Sequence, residues 1–220
     1  DVNDLPSFDM IAQAEGWEID DLARIKHLNA CLLDGDEIAL VDPTDRVRYH
    51  LQGKAHYAVH ETLVTALRSA AKGVVLVTSR IVPSQFRTDW ILVLRPKSLF
   101  LGIGCNSGTA EQEISDVVAA QMKRLFLSLK SVAAIGSVDA KNNEQGLIAF
   151  AGSLGVPLRF YTPGELNQIA APTPPSEHAM KAIGATGVAE PAALLASGGG
   201  ELVLAKVRSG NVTLAIAERL

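Results

Sequence analysis

The chain has 220 residues, 48% of them apolar and 20% charged, with a formal net charge of −4; that length makes one large or two small domains, with ample apolar content for a core and too little charge for disorder. A mildly acidic chain with 5% aromatic residues is ill suited to nucleic acid, and no apolar run is long enough to span a membrane. Two cysteines, Cys31 and Cys105, make neither a disulfide framework nor a zinc spacing, so a reducing, cytoplasmic setting is expected.

Asp1 opens the chain without a methionine or a signal-like segment, which reads as a truncated or processed polypeptide. Ser7 is placed to cap a helix over residues 8–15, with Gly16 as its stop. A second helix is expected over residues 20–33. Asp20 and Asp21 suit its N-terminal end, and Leu22, Ile25, Leu28, Leu32 and Leu33 give it an apolar stripe. Cys31 lies beside that stripe as a core or half-buried thiol, and Gly35 ends the helix. Residues 37–41 and 47–51 read as short strands about the turn signal Asp42-Pro43-Thr44-Asp45.

His56 and His60 have the spacing that puts two imidazoles on one helix face, as in a zinc site. Tyr57, Ala58 and Val59 lie between them, so the glutamate of the metalloprotease motif is missing and a solvated role is the stronger reading. Residues 62–71 continue as helix, Gly73 stops it, and residues 74–78 and 90–94 are strands. Arg95-Pro96-Lys97 breaks the pattern. Two domains are therefore expected, 1–97 and 98–220.

The second domain is organised around residues 99–129. Leu99-Phe100-Leu101 leads into Gly102-Ile103-Gly104-Cys105 and a polar turn, Asn106-Ser107-Gly108. Thr109 and Gln112 have capping-box spacing, and Ile114, Val117, Val118, Met122 and Leu125 recur at helical spacing. This is a strand, a glycine turn and an amphipathic helix. The glycines allow close backbone approach, and free N–H groups at a helix start favour an anion. The spacing is not the dinucleotide fingerprint, because Ser107 stands where its third glycine should be, and no Walker lysine follows. A tight turn without a ligand is the plain alternative, and no nucleotide or metal is expected on this chain.

Residues 132–138 form a second strand, and a helix over residues 144–154 closes at Gly155. Residues 156–161 form a third strand. Thr162-Pro163-Gly164-Glu165 is a second capping box with proline at the first helical position. Pro172-Thr173-Pro174-Pro175 is a loop, Ser176 opens a helix to Ile183, Gly184 and Gly187 bracket a turn, and residues 188–196 form a small-residue helix. Gly198-Gly199-Gly200 is a break before a hairpin, residues 201–207 and 212–217 about Ser209-Gly210-Asn211. The expected fold class is α/β: a three-layer α/β/α C-terminal domain with a mixed, mostly parallel sheet, plus a smaller α/β N-terminal region. The turns at 102–108 and 139–143 fall at C-terminal strand ends, where open α/β sheets bind ligands.

Six short stretches in order carry a resemblance: Gly102-Ile103-Gly104-Cys105 with Gly108-Thr109; Ser137-Val138-Asp139-Ala140-Lys141 with Glu144-Gln145-Gly146-Leu147; Gly187-Val188-Ala189-Glu190-Pro191-Ala192-Ala193-Leu194; and Gly210-Asn211-Val212-Thr213. Over residues 98–218 the chain resembles the C-terminal domain of the CbiG family of cobalamin-biosynthesis proteins, and the stand-alone CobE proteins are similar. The opening, Asp1-Val2-Asn3-Asp4-Leu5-Pro6-Ser7-Phe8-Asp9, is similar to the start of the CbiG central region; the family's N-terminal domain would precede Asp1. The resemblance implies a cobalt-precorrin-5A hydrolase, which opens the δ-lactone of a cobalt-corrinoid (a tetrapyrrole) and releases acetaldehyde. It implies cobalt carried by the substrate, no cofactor bound by the protein itself, and partnership with the missing N-terminal domain of the same protein; a homodimer stays open. A second class is a non-catalytic module that binds the corrinoid or a partner enzyme, with the catalytic groups in the missing domain.

Lactone opening needs an activated water and a stabilised oxyanion, and acetaldehyde release needs a base. A macrocycle bearing many carboxylates needs a broad apolar cleft rimmed by donors. Asp139, Glu190 and Cys105 are the catalytic candidates. If residues 139–141 are extended, Asp139 and Lys141 point the same way, one as base and the other holding a carboxylate; a cap or salt-bridged pair is the equal alternative. Glu190 falls in the first turn of a helix, where the dipole alone accounts for an acid. Cys105 lies in a setting that can lower a thiol pKa, with a packed thiol as the alternative. Gly102, Gly104, Gly108, Thr109, Lys141, Glu144 and Asn211 are the substrate-binding candidates. Glu144 also reads as a helix cap, and Asn211 as a turn residue that tolerates positive φ.

Overall fold

The computed structural model describes residues 5–220; residues 1–4, and with them the start of the Asp1-to-Asp9 resemblance, lie outside the described residues. The chain divides into two compact units, the first ending at Lys97 and the second spanning Ser98–Arg219. Each carries its own five-stranded sheet.

The first unit runs α1 (Phe8–Glu15), β1 (Glu18–Ile19), α2 (Ile25–Asp34), β2 (Ile38–Val41), α3 (Arg46–Leu51), β3 (Tyr57–Val59), α4 (Leu63–Leu67), β4 (Gly73–Val77) and β5 (Ile91–Arg95). Its sheet order is β1-β5-β4-β2-β3, with β1 antiparallel to β5 and the other pairs parallel. Helices α1 to α3 bury Phe8, Ile11, Leu28, Leu32, Val47 and Leu51 on one face, and α4 covers the other with Ala66. Arg95 ends β5 with only 1% of its surface exposed. Its guanidinium grips Asp20 through Nη2–Oδ2 at 2.8 Å and Nε–Oδ1 at 3.2 Å, and donates to the carbonyls of Thr78 and Arg80.

Three expectations for this unit are corrected. Residues 47–51 are helix, because Asp42 Oδ2 accepts the Val47 N–H at 2.8 Å and Oδ1 accepts the Thr44 N–H at 3.0 Å, which caps α3 in place of a strand turn. His56 and His60 flank a strand, not a helix, so the helix-face geometry does not arise. Gly73 opens β4 instead of stopping a helix, and α4 is held by a capping box between Thr62 and Thr65.

The second unit runs β6 (Leu99–Cys105), α5 (Glu111–Arg124), β7 (Val132–Val138), α6 (Gln145–Leu154), β8 (Leu158–Tyr161), α7 (Pro163–Asn167), α8 (Glu177–Ile183), α9 (Ala189–Ser197), β9 (Glu201–Ser209) and β10 (Val212–Glu218). The sheet order is β8-β7-β6-β10-β9. Strands β6, β7 and β8 are parallel, and β10 is antiparallel to both β6 and β9. Helices α5 and α6 pack Ile114, Val118, Leu147 and Phe150 over Leu101, Ile103, Ile135 and Leu214. Helix α9 lays Ala189, Ala193 and Ala196 on the opposite face, over Phe100, Ala134, Ala215 and Ala217. The result is a three-layer α/β/α unit with a mixed, mostly parallel sheet.

The glycines at 102 and 104 do not make a turn; they extend β6 to Cys105. A Cβ at Gly102 would lie 1.8 Å from the Ala189 carbonyl oxygen, and one at Gly136 2.5 Å from that of Ala192. These glycines let α9 sit with its backbone on the sheet, which is why its contact face is alanine. The Thr109–Gln112 capping box is also absent. Helix α5 begins at Glu111 after Ala110, which has no side chain to cap with. Thr109 is buried and donates its hydroxyl to the Asn106 carbonyl at 2.7 Å, and Gln112 turns to Asp116. The Thr162–Glu165 box forms as read. Among the described residues no helix is long and apolar enough to cross a membrane.

Candidate functional site

A cleft of about 560 Å³ opens at the carboxyl ends of β6 and β7. There the sheet changes direction: β7 lies on one side of β6 and the antiparallel β10 on the other, the place where open α/β sheets bind ligands. Gly104, Cys105 and Val138 line it from the strand ends, and Val188 from the start of α9. Ala179, Ala182 and Ile183 of α8 form an apolar wall. Polar groups enter from Asn106, Ser107, Lys141, Ser176, Asn211 and Thr213, and two cations, Lys206 and Arg208, from β9.

Residues 139–141 form a single 3₁₀ turn, so Asp139 and Lys141 do not point the same way as they would in a strand. Lys141 lines the cleft and Asp139 does not. Lys141 Nζ donates to Ser107 Oγ at 3.1 Å and to Glu144 Oε2 at 3.2 Å, with the two charged side chains 15% and 11% exposed. Glu144 Oε1 accepts the Gly108 N–H at 2.7 Å. That N–H, expected to be free for a ligand, is thus taken inside the protein, and Gly108 adopts φ 76° to present it. An ammonium has three donors and no acceptor, so Lys141 keeps one N–H for a ligand after these two contacts.

Asn211 is fixed on both sides. Its backbone N–H and Nδ2 donate to Glu113 at 2.8 and 3.2 Å, and its Oδ1 accepts from Asn106 Nδ2 at 2.8 Å. The positive φ in this hairpin falls on Gly210, not on Asn211. Asn211 therefore shapes the rim by joining the hairpin tip to α5 and to the end of β6.

The three catalytic candidates are not brought together. Cys105 lines the cleft, but burial pushes its thiol pKa up, against a smaller downward pull from the Lys141 charge, the opposite direction from the lowering that activates a thiol. Glu190 is 2% exposed, with Oε1 accepting the Lys206 backbone N–H at 3.0 Å and Oε2 accepting the Thr173 hydroxyl at 2.5 Å. It is not among the lining residues, nor are Gly102, Gly108, Thr109 and Glu144, while Gly104, Lys141 and Asn211 are.

Sequence reasoning missed Lys206, Arg208 and the α8 wall. The available signal was the spacing of Lys206 and Arg208, two apart on a strand and hence on one face. Neither enters an ion pair among the described residues.

Fold and site together define a two-unit α/β protein with a cation-rimmed ligand cleft at the carboxyl edge of its second sheet. Residues 99–217 match the family described as Cobalamin synthesis G C-terminus, and residues 6–96 match the Cobalamin biosynthesis central region. The chain therefore belongs to the CbiG family of cobalamin-biosynthesis proteins. A cobalt-precorrin-5A hydrolase of Priestia megaterium is 32% identical over 222 residues, covering 99% of this chain and 59% of that protein. Protein CobE of Sinorhizobium sp is 31% identical over 121 residues, 54% of this chain and 79% of that one. A solved structure of CobE, described as a protein from the cobalamin (vitamin B12) biosynthetic pathway, has a TM-score of 0.51 at 29% identity, covering 56% of this chain and 93% of its own.

Proposed function

We propose that the chain is part of a cobalt-precorrin-5A hydrolase and that its second unit holds the corrinoid. The observation that carries this is the composition of the cleft: Lys141, Lys206 and Arg208 line it together with the apolar wall of α8, and among the described residues no carboxylate does. That arrangement suits an apolar macrocycle with carboxylate arms. The cobalt arrives within the substrate. At about 560 Å³ the cleft is of ordinary small-molecule size, and it takes one edge of the macrocycle with its arms.

In this reading Lys141 and Ser107, which both line the cleft, serve as donors to a lactone carbonyl oxygen. When water adds to that carbon, they stabilise the oxyanion. The ring C–O bond then breaks, giving a carboxylate and an alcohol. Removal of the alcohol proton, with cleavage of the adjacent carbon–carbon bond, releases acetaldehyde and leaves the bonding pair on the conjugated macrocycle, which takes up a proton. Both proton removals need a base. Among the described residues no carboxylate or imidazole lines the cleft, so in this reading the base comes from outside it; the chain spans 59% of its Priestia relative. Within the enzyme the second unit is then a recognition unit.

The test is to incubate cobalt-precorrin-5A with the 220-residue chain and, separately, with the full-length protein, following visible absorbance and acetaldehyde. Both proteins are expected to perturb the corrinoid spectrum, and only the full-length protein to release acetaldehyde rapidly. No spectral change with either would overturn the corrinoid assignment. Equal acetaldehyde release from both would move the base into this chain.

A further inference from the structure

We infer that Lys206 and Arg208 are specificity-determining residues of the cleft, a paired grip for one carboxylate arm of the ligand, and that Glu190 is the residue that positions it. The inference rests on the corrinoid reading above and names the groups that select among corrinoids.

Charge bookkeeping separates the three cations. The charge of Lys141 is met by Glu144 at 3.2 Å. Lys206 and Arg208 enter no ion pair among the described residues, so they supply the unbalanced positive charge of the cleft. An arginine fork can hold both oxygens of a carboxylate while a lysine adds a point charge.

The backbone shows how they come to face the cleft. Pairing along the hairpin steps from Leu214 opposite Val207 to Ile216 opposite Leu204, so β9 carries an extra residue there. A bulge of this kind takes a backbone group out of the ladder and re-aims the neighbouring side chains. The Lys206 N–H is the donor that Glu190 accepts, at 3.0 Å. A carboxylate as buried as Glu190, at 2% exposure, carries a desolvation cost that such contacts offset. Its second oxygen holds the Thr173 hydroxyl, in the loop that leads to α8. Glu190 thus fixes the bulge of β9 and the approach to the α8 wall on the same turn of α9, without lining the cleft itself.

The test uses two probes of the same ring: cobyrinic acid, with free carboxylates, and its heptamethyl ester. Affinities are read by visible absorbance titration of the 220-residue chain, with circular dichroism to check folding. The unmodified chain is expected to prefer the acid by roughly 10- to 100-fold. The double variant K206A/R208A should lose that preference, its affinity for the acid falling far more than its affinity for the ester. E190A should also erode the preference, and E190Q, which keeps an acceptor for the Lys206 N–H, should largely retain it. A purely structural role for Glu190 would weaken both ligands alike and would remove it from the proposal. A double variant that keeps the preference overturns the grip. Equal binding of both probes by the unmodified chain overturns the grip and leaves the corrinoid reading standing. Failure to bind either probe overturns both.

Discussion

Gly102 and Ala189 meet backbone to backbone: a Cβ on Gly102 would lie 1.8 Å from the Ala189 carbonyl oxygen. The obstructing atom belongs to the first turn of α9, so it cannot move aside as a side-chain tip could. Gly102→Ala should lift the start of α9, where Val188 and Glu190 sit, and cost about 1–3 kcal/mol or more as overpacking. Urea unfolding measures it. A variant as stable as the parent would contradict this packing.

Lys141→Ala should lower stability as well as ligand affinity. From its place at the rim it reads as a free cation, but the structure makes it one half of a largely buried pair. Removing it leaves Glu144 with the Gly108 N–H and no counter-charge, a loss of about 1–2 kcal/mol for a hydrogen-bonded ion pair of this exposure. A double-mutant cycle with Glu144→Gln isolates the pair, and a coupling energy of zero would refute it.

Arg95→Ala should be among the most damaging substitutions in the first unit. Arg95 is 1% exposed and holds Asp20 with two contacts and two further carbonyls. Breaking a buried pair by removing one partner costs about 3–5 kcal/mol. Calorimetry should show the loss, and an unshifted transition would show that the pair carries little.

Burial pushes the thiols of both Cys31 and Cys105 up. The folded chain therefore holds these protons to higher pH than the unfolded chain does, so stability should fall as pH rises through the ordinary thiol range. For the same reason alkylation should be slow near neutral pH and accelerate above that range. Fast labelling of either cysteine at pH 7 would contradict the burial assigned to it.

The order of elements was legible because apolar periodicity and glycine stops are local signals. Gly16, Gly35 and Gly155 end helices in the left-handed conformation as read. The misreadings came from side chains acting across turns. Val47 to Leu51 alternates poorly between strand and helix until Asp42 reaches five residues ahead to cap it. Gly102 and Gly104 look like a turn until α9, some ninety positions later, needs a surface without side chains. The cleft was half legible. Asn211 and Cys105 stand beside glycines and Lys141 just past a strand end, whereas Lys206 and Arg208 resemble the solvated face of any edge strand. Only the register shift in β9 and the buried Glu190 single them out.

Cys105 lines the cleft and Cys31, on α2 of the other unit, is buried in that unit's core, so the chain carries its own reporter and control. The most direct test of the central claim is the alkylation rate of each cysteine, read by peptide mass spectrometry at alkaline pH, with and without saturating cobyrinic acid. If the corrinoid occupies the cleft, Cys105 is protected severalfold and Cys31 reacts at its original rate. A Cys105 rate unchanged at saturation would place the corrinoid elsewhere and contradict the account.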